Sequence, residues 1–489
     1  MQEITTRADL INALRVASEL EHGLMAQYLF AVYSMKRYTY EGLDPVQLEF
    51  VRRWSSSITL IARQEMEHLG LALNLLAAIG GTPSFTRPNM PQRRDYYGKA
   101  GIKLTLTRGD LASIKRFQHF ESPDELLRYA EDGVIDQKKA VAWCRRDGAA
   151  DSRAAVTKIV GARAALRGKK LPGKKKLLTG APVLTFGWNS VQELYLAIRS
   201  GFEYLHDELG DKKLFVGPPS LQIFGGPKSP QHGSMNDLNQ YGLDIIAITN
   251  IASARQAITM ILEQGEGMEV KPGYLPWTHF CLFTQIRGEM EKNALGGLAA
   301  RPVVPNPMTM LYPDVCPDDE VTLLRDPTTI RVSQLFNGSY ELMLLLLLYL
   351  YSDNVKSQDQ VNDLMDAAFF PLMTMFVRPL AEVLTEMPAG VTTEGGMTNA
   401  GPGFELNGDV LLFPSIPAAW DLFQERFDVL VRGFDEVLDN GDPWMKQPGQ
   451  SETGFKTSRI WRRMEWMRSN MRRLAEDWRE KWKNIGRTS

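Results

Sequence analysis

Residues 45–79 carry a helical apolar stripe interrupted only by one carboxylate and one imidazole. The stripe runs Ile58, Ile61, Ala62, Glu65, His68, Leu69, Ala72, Leu75, Leu76 and Ile79, one face at a period near 3.6. It starts near Pro45 and stops at "GGTP" (80–83), a strong helix-stop signal. A face this long requires partner helices. A buried ionised carboxylate costs several kcal/mol unless it is paired or ligates a metal. Glu67 shares the opposite face with Leu60, Arg63, Gln64 and Asn74, which assigns it to the surface.

A second long helix is predicted over 7–38, capped by Thr6 or Asp9, with Leu10, Ala13, Leu14, Ala17, Leu24 and Tyr28 in its stripe. Glu21 falls in that stripe. Two helices therefore each bury a carboxylate, and one adds a histidine a turn away. The E-x-x-H spacing puts Glu65 and His68 on one face, about 4.5 Å apart along the axis. Four-helix bundles hold di-iron or di-manganese sites with this spacing, drawing a Glu from each of two helices and a Glu/His pair from each of the others.

The second half of such a site has several candidates. Glu193 sits partly on the buried face of a helix predicted over 188–209. Glu263 and Glu266 lie near the broken end of a helix predicted over about 242–264, with Glu266 favoured because the glycines of "QGEG" can aim it sideways. His279 shares a stripe with Leu282, Phe283 and Ile286 in a helix starting near Trp277. Alone, an E-x-x-H, a core histidine or a buried ion pair to Arg63 or Arg255 would explain any one of these residues. Together, four carboxylates and two histidines on four helical regions favour metal. His22, beside Glu21, is a supporting candidate only.

The rest of the chain reads as helices over 328–352, 358–386, 417–440 and 455–484, with no alternating strand pattern and no repeat of 20–50 residues. The expected class is all-α: a four-helix bundle over 1–300 and a further helical region over 301–489 packing on it. An insert at about 131–180 is basic, with thirteen Lys/Arg against Asp147 and Asp151 between 138 and 176. It reads as a solvated helical insert or a docking surface for an acidic partner.

Composition removes several classes. The net charge of −2 gives no reason to expect nucleic acid or an anionic membrane as partner. The greasiest run, 342–351, is too short to span a bilayer, where about 20 residues are needed. The N-terminus lacks the apolar core of a signal peptide. Cys144, Cys281 and Cys316 show no metal spacing and no disulfide framework, which fits a reducing, cytoplasmic setting.

The stretches "LEHGLMAQYLFAVYSM", "RQEMEHLGLALNLLAAIGGTP", "VQELYLAI" and "ILEQGEG" resemble the ferritin-like domain of the iminophenyl-pyruvate dimer synthases, the violacein-pathway and chromopyrrolate synthase type. Further similarity lies in "KRFQHFESP" (115–123), "VVPNP" (303–307), "LFNGSYELML" (335–344) and "AGPGFEL" (400–406). The resemblance implies a ferritin-like bundle that binds iron and couples imines of aromatic amino acids in natural-product biosynthesis. By position it implies Glu21, Glu65, His68, Glu193, Glu266 and His279 as ligands.

The expected function is a non-haem iron oxidoreductase with one or two iron ions, or manganese. Its substrate would be a small amino-acid-derived molecule, with O₂ or a peroxide as co-substrate. The Gly/Pro-rich loops at 216–235, 301–317 and 395–408 would build the pocket with the C-terminal helices. Arg255 or Arg287 would hold a substrate carboxylate. The Arg- and Trp-rich tail offers a homo-oligomer contact. The alternatives are a ferroxidase-like protein with no organic substrate and a helical scaffold of buried ion pairs.

Overall fold

Two well-capped helices set the frame. In α1 (Arg7–Ser34) the Thr6 hydroxyl accepts from the Asp9 amide. In α2 (Pro45–Ala78) Asp44 and Gln47 form a reciprocal capping box with Pro45 in the first turn. The two pack along their length, and α6 (Val191–Leu209) and α8 (Ile251–Gly265) complete a four-helix bundle. The structure, a computed structural model, describes all residues except 1–3, 93–102, 128–129, 131–132, 146–187, 189, 226–237, 239–240, 266–276, 314, 316–320, 354–356, 394–395, 412–414, 440–458 and 486–489.

Shorter helices close one side of the bundle: α3 (Leu111–Phe120), α4 (Asp124–Leu127), α5 (Gln137–Cys144), α7 (Asp211–Leu214) and α9 (His279–Lys292). α9 packs on α3, α5 and α2, which brings its first residue, His279, to the bundle interior.

The C-terminal region adds α10 (Pro327–Tyr349), α11 (Gln358–Ala367), α12 (Arg378–Leu384), α13 (Ile416–Asp439) and α14 (Arg459–Ile485). α11 and α12 are joined without a break by a π-helical stretch, Ala368–Val377, that contains Pro371. By length and composition, Gln358–Leu384 could cross a membrane, but half of its apolar window is buried in the fold. The run 342–351 is core helix, as its length required. One continuous apolar core extends from Ile4 to Trp478, so bundle and C-terminal helices share it. In the tail, Trp478 stacks on Trp420 of α13 with centroids 4.2 Å apart.

Several expectations are corrected. Residues 242–250 are not helical. Ile245 bridges Gly225, and α8 begins only after Asn250, whose side chain accepts from the Ser253 amide. The run "DIIAIT" is rich in β-branched residues, which favour extended backbone. α1 ends at Ser34 because Met35 turns extended and pairs with Ala300. Among the described residues there are also two small ribbons. β1 (Pro307–Met308) pairs parallel with β2 (Thr322–Leu323), and β3 (Pro388–Thr393) pairs antiparallel with β4 (Gly396–Asn399). Most of the basic insert lies outside the described residues, as does Cys316; its first part is α5.

The cysteines also depart from expectation. Cys144 at the end of α5 is disulfide-bonded to Cys281 in the first turn of α9. A sequence separation of 137 residues gives no short-range spacing signal, so only the packing of α5 on α9 reveals the pair. Mass spectrometry of an unreduced digest is expected to find the two peptides linked; two free thiols would contradict this.

Candidate metal centre

The centre forms where α1, α2, the end of α3 and the start of α9 converge. α1 contributes Glu21, 1% exposed, and α2 contributes Glu65 and His68, 1% and 2% exposed. Glu121 sits immediately after α3, in its C-cap, and is buried. His279 opens α9 behind its N-cap Thr278 and has no exposed surface.

Glu65 is the hinge of the arrangement. Its Oε2 lies 3.0 Å from His68 Nδ1, while its Oε1 lies 3.1 Å from His279 Nδ1. Glu21 Oε2 is 3.9 Å from His68 Nδ1, and Glu121 Oε2 is 3.4 Å from His279 Nδ1. The residues thus fall into two groups that could each hold an ion, Glu21–Glu65–His68 and Glu65–Glu121–His279, with Glu65 common to both. The imidazole centroids are 5.4 Å apart.

Each outer group is held from behind. The Tyr195 hydroxyl of α6 donates to Glu21 at 2.5 Å, and the Tyr28 hydroxyl donates to Glu121. His68 Nε2 is 2.8 Å from Gln264 Oε1 and His279 Nε2 is 3.1 Å from Gln64 Oε1. With the glutamine oxygens so placed, each Nε2–H donates, and each Nδ1 lone pair faces the carboxylates. Such partners fix ring orientation and tautomer in metal sites.

This geometry tests the fit to a metal. A bare Nδ1 facing a carboxylate oxygen is repulsive unless a proton or a cation lies between them. Glu65 Oε1 and His279 Nδ1 are buried, and neither has a hydrogen bond despite their 3.1 Å approach. Unsatisfied buried polar atoms of this kind are rare. A cation satisfies both. A cavity of about 10 Å³ lies between Glu21, Glu65, His68, Glu121, Tyr195 and Gly265, roughly room for one water-sized occupant. The oxygen- and imidazole-rich donor set, without thiolate, suits iron or manganese.

The electrostatics agree. Burial pushes Glu21 well above the ordinary carboxyl range, and the neighbouring Glu65 pushes it further. Glu121 is raised for the same two reasons. Burial opposes ionisation of Glu65 as well, but His279 and His68 override it and hold Glu65 well below the usual range. Burial lowers His279, yet Glu65 and Glu121 outweigh that and push it up to about 10. Without metal, the cluster holds protons where a cation would sit.

Of the residues singled out in the sequence, the structure brings together Glu21, Glu65, His68 and His279. Glu193 is half-buried in the first turn of α6, where its amide donates to Ser190, and is outside both groups; Tyr195 faces the centre instead. Glu263 is half-buried and also outside both groups. Glu266 lies outside the described residues. Glu67 is buried rather than exposed, because residues 242–244 cover its face: Arg63 pairs with Glu67 at 3.5 Å and bonds to the Gly242 carbonyl. His22 turns away from the centre, to Phe85 and Tyr340. Glu121 follows Ile114, Phe117 and Gln118 at i+7, i+4 and i+3, on the buried face of α3, a stripe confined to a ten-residue helix that was not read from the sequence.

The arginines expected to hold a substrate carboxylate are otherwise engaged. Arg255 pairs with Glu203 on the surface, and Arg287 binds Gln118, the Ile135 carbonyl and Glu291.

The chain is similar in sequence to two proteins of known name and matches one family model. The chain is 25% identical over 464 aligned residues to a dichlorochromopyrrolate synthase of Lentzea aerocolonigenes, covering 87% of this chain and 38% of that protein. It is 23% identical over 414 residues to a 2-imino-3-(indol-3-yl)propanoate dimerase of Chromobacterium violaceum, covering 79% of this chain and 33% of that one. The matched part is thus well under half the length of either relative. A solved ferritin-like protein from Caulobacter vibrioides matches 74% of this chain and 94% of its own at 16% identity, with a TM-score of 0.39. The Ferritin-like family model matches residues 14–288, more than half of the sequence, and the chain belongs to that family.

Proposed function

We propose that the chain is a non-haem iron oxidoreductase, in which Glu65 would serve two metal positions. The observation that carries this reading is that the two oxygens of Glu65 face two separate carboxylate–imidazole groups. Glu21 and His68 would hold one ion, and Glu121 and His279 the other. Glu266, next in sequence to the cavity-lining Gly265, is the candidate for a further ligand; Glu193 and Glu263 stand outside both groups. Manganese suits the same donors.

A bound redox-active ion would supply one-electron chemistry and activation of O₂ or a peroxide, which side chains lack. The chain's own residues do the rest. Tyr195 and Tyr28 orient the outer carboxylates, and Gln264 and Gln64 set the imidazole tautomers. Without metal, Glu21 and Glu121, with raised proton affinity, hold protons that a bound cation would displace. Leu24, Val191, Ile261 and Leu262 line the cavity's apolar side and limit water.

We infer a small amino-acid-derived substrate, such as an imine, undergoing oxidation or oxidative coupling in natural-product biosynthesis. This rests on the two relatives whose names describe such chemistry. Iron-loaded protein is expected to consume oxygen when an amino-acid oxidase generates imines from a panel of amino acids, above the oxidase-only rate. Metal-free protein should add nothing. A broad panel giving no uptake with iron loaded would overturn the organic-substrate reading and leave a ferroxidase-type protein.

A further inference from the structure

The Cys144–Cys281 disulfide stands directly behind one of the two candidate metal positions. Cys281 follows His279 by two residues in the same first turn of α9, where its amide donates to the hydroxyl of the N-cap Thr278. The two faces of that turn have different neighbours. His279 points to Glu65 and Glu121, and Leu282, Phe283 and Ile286 join the main core. Phe280 and Cys281 instead join a separate small core with Leu126, Ile135, Ala140 and Trp143.

α5 supplies much of that small core. A helix of eight residues is marginal by itself, so α5 depends on its anchors. Hydrogen bonds hold its N-terminal end. Gln137 donates to the Thr284 carbonyl at 2.8 Å and accepts from Gln118 at 3.2 Å, and Arg287 donates to the Ile135 carbonyl at 2.6 Å. The disulfide joins its C-terminal end to α9. Gln118 lies three residues before Glu121 and also donates to the Thr284 hydroxyl at 2.9 Å. α5 thus braces the two segments that carry Glu121 and His279. Glu21, Glu65 and His68 stand on α1 and α2, which pack on each other along their length. Cys144 is half-buried and Cys281 is 4% exposed, so an external thiol meets the Cys144 sulfur first.

We propose that this disulfide is a thiol-exchange site that sets the metal affinity of the Glu121–His279 position. Closed, it fixes the first turn of α9 with His279 at Glu65 and Glu121. Opened by a dithiol, it frees that turn from α5 and weakens this position, leaving the one at Glu21, Glu65 and His68. In the exchange a thiolate of the dithiol attacks the Cys144 sulfur. The Cys144–Cys281 bond breaks, and Cys281 leaves as a thiolate that takes up a proton. The second thiol of the reductant then displaces Cys144 from the mixed disulfide. Two electrons and two protons pass to the cysteines, and the dithiol ends as a disulfide. The effect on metal rests on the two-position reading above; the effect on α9 does not.

The test compares the oxidised full-length chain with the same protein reduced by dithiothreitol and desalted under argon. Manganese titration of the oxidised chain is expected to give two equivalents. After reduction one equivalent should keep its affinity, and the other should weaken about 10–100-fold, the range for losing support behind a metal ligand. Cys144→Ser removes no metal ligand; it should match the reduced chain and no longer respond to reductant. Amide exchange on metal-free protein gives a second readout: reduction should speed exchange over residues 280–284 and leave residues 62–69 unchanged. General loosening of the fold, with both positions weakened and both segments exchanging faster, would overturn the proposal. Equal affinities and equal exchange in the two redox states would do the same, as would a reductant response that persists in Cys144→Ser. An oxidised chain that takes up no manganese, yet shows faster α9 exchange on reduction, would overturn the two-position reading and with it the affinity effect, while the clamp on α9 would stand.

Discussion

Replacing Glu65 by alanine is expected to empty both metal positions at once. Its two oxygens stand 3.0 and 3.1 Å from the two imidazoles, so its loss strips a ligand from each group. Changes in residues that merely support metal ligands cost roughly 10–100-fold in affinity. Tyr195→Phe and Tyr28→Phe should fall in that range, and Glu65→Ala well beyond it. Metal content by plasma spectrometry should drop from about two equivalents to a trace. The control is Glu67→Ala, two residues away and also buried, which should keep its metal because Glu67 pairs with Arg63 rather than facing the centre. Circular dichroism must show both variants folded. Without metal, Glu65→Ala leaves His279 buried without its main partner, which costs about 3–5 kcal/mol. Retention of two equivalents by Glu65→Ala would refute the bridging role.

The metal-free protein should lose stability as pH rises from about 6.5 towards 10. Burial lowers His279, but Glu65 and Glu121 override it and push it up to about 10 from an ordinary 6.5. A histidine raised on folding contributes stability that is complete below its unfolded value and lost as pH climbs through its folded one. At about 1.4 kcal/mol per pH unit the loss is at most about 5 kcal/mol. Glu21 and Glu121, also raised, act in the same direction from the carboxyl range upward. Glu65, held low, acts oppositely but only in strong acid. Metal reverses the trend, since deprotonated ligands bind better and binding stabilises the fold. Melting temperatures with chelator and with manganese should therefore diverge from pH 6.5 to 9, and His279→Gln should flatten the chelator curve. A metal-free melting temperature that holds steady or rises over that interval would contradict the assigned electrostatics.

Much of the bundle was legible in the sequence because its signals are local. The Asp44 capping box, Pro45 and the Gly80–Gly81 stop bracket α2 to within a residue, and the apolar stripe points Glu65 and His68 inward. Glu21 follows from the same phase argument on α1. What periodicity cannot see is a face covered by a distant segment. Glu67 was assigned to water, but residues 242–244 lie over it. Glu121 continues the buried stripe Ile114, Phe117 and Gln118, but that stripe spans only a ten-residue helix and its cap, too short to stand out beside the long helices. Glu193 and Tyr195 differ by two positions, and in the first turn of α6 the phase decides for the tyrosine. The Cys144–Cys281 pair depends on contact between segments 137 residues apart.

The most direct test is anomalous diffraction at the iron edge from crystals of iron-loaded protein. Two peaks are predicted, one among Glu21, Glu65 and His68 and the other among Glu65, Glu121 and His279, with Glu65 touching both. No peak at these residues, or iron bound elsewhere in the chain, would contradict the account.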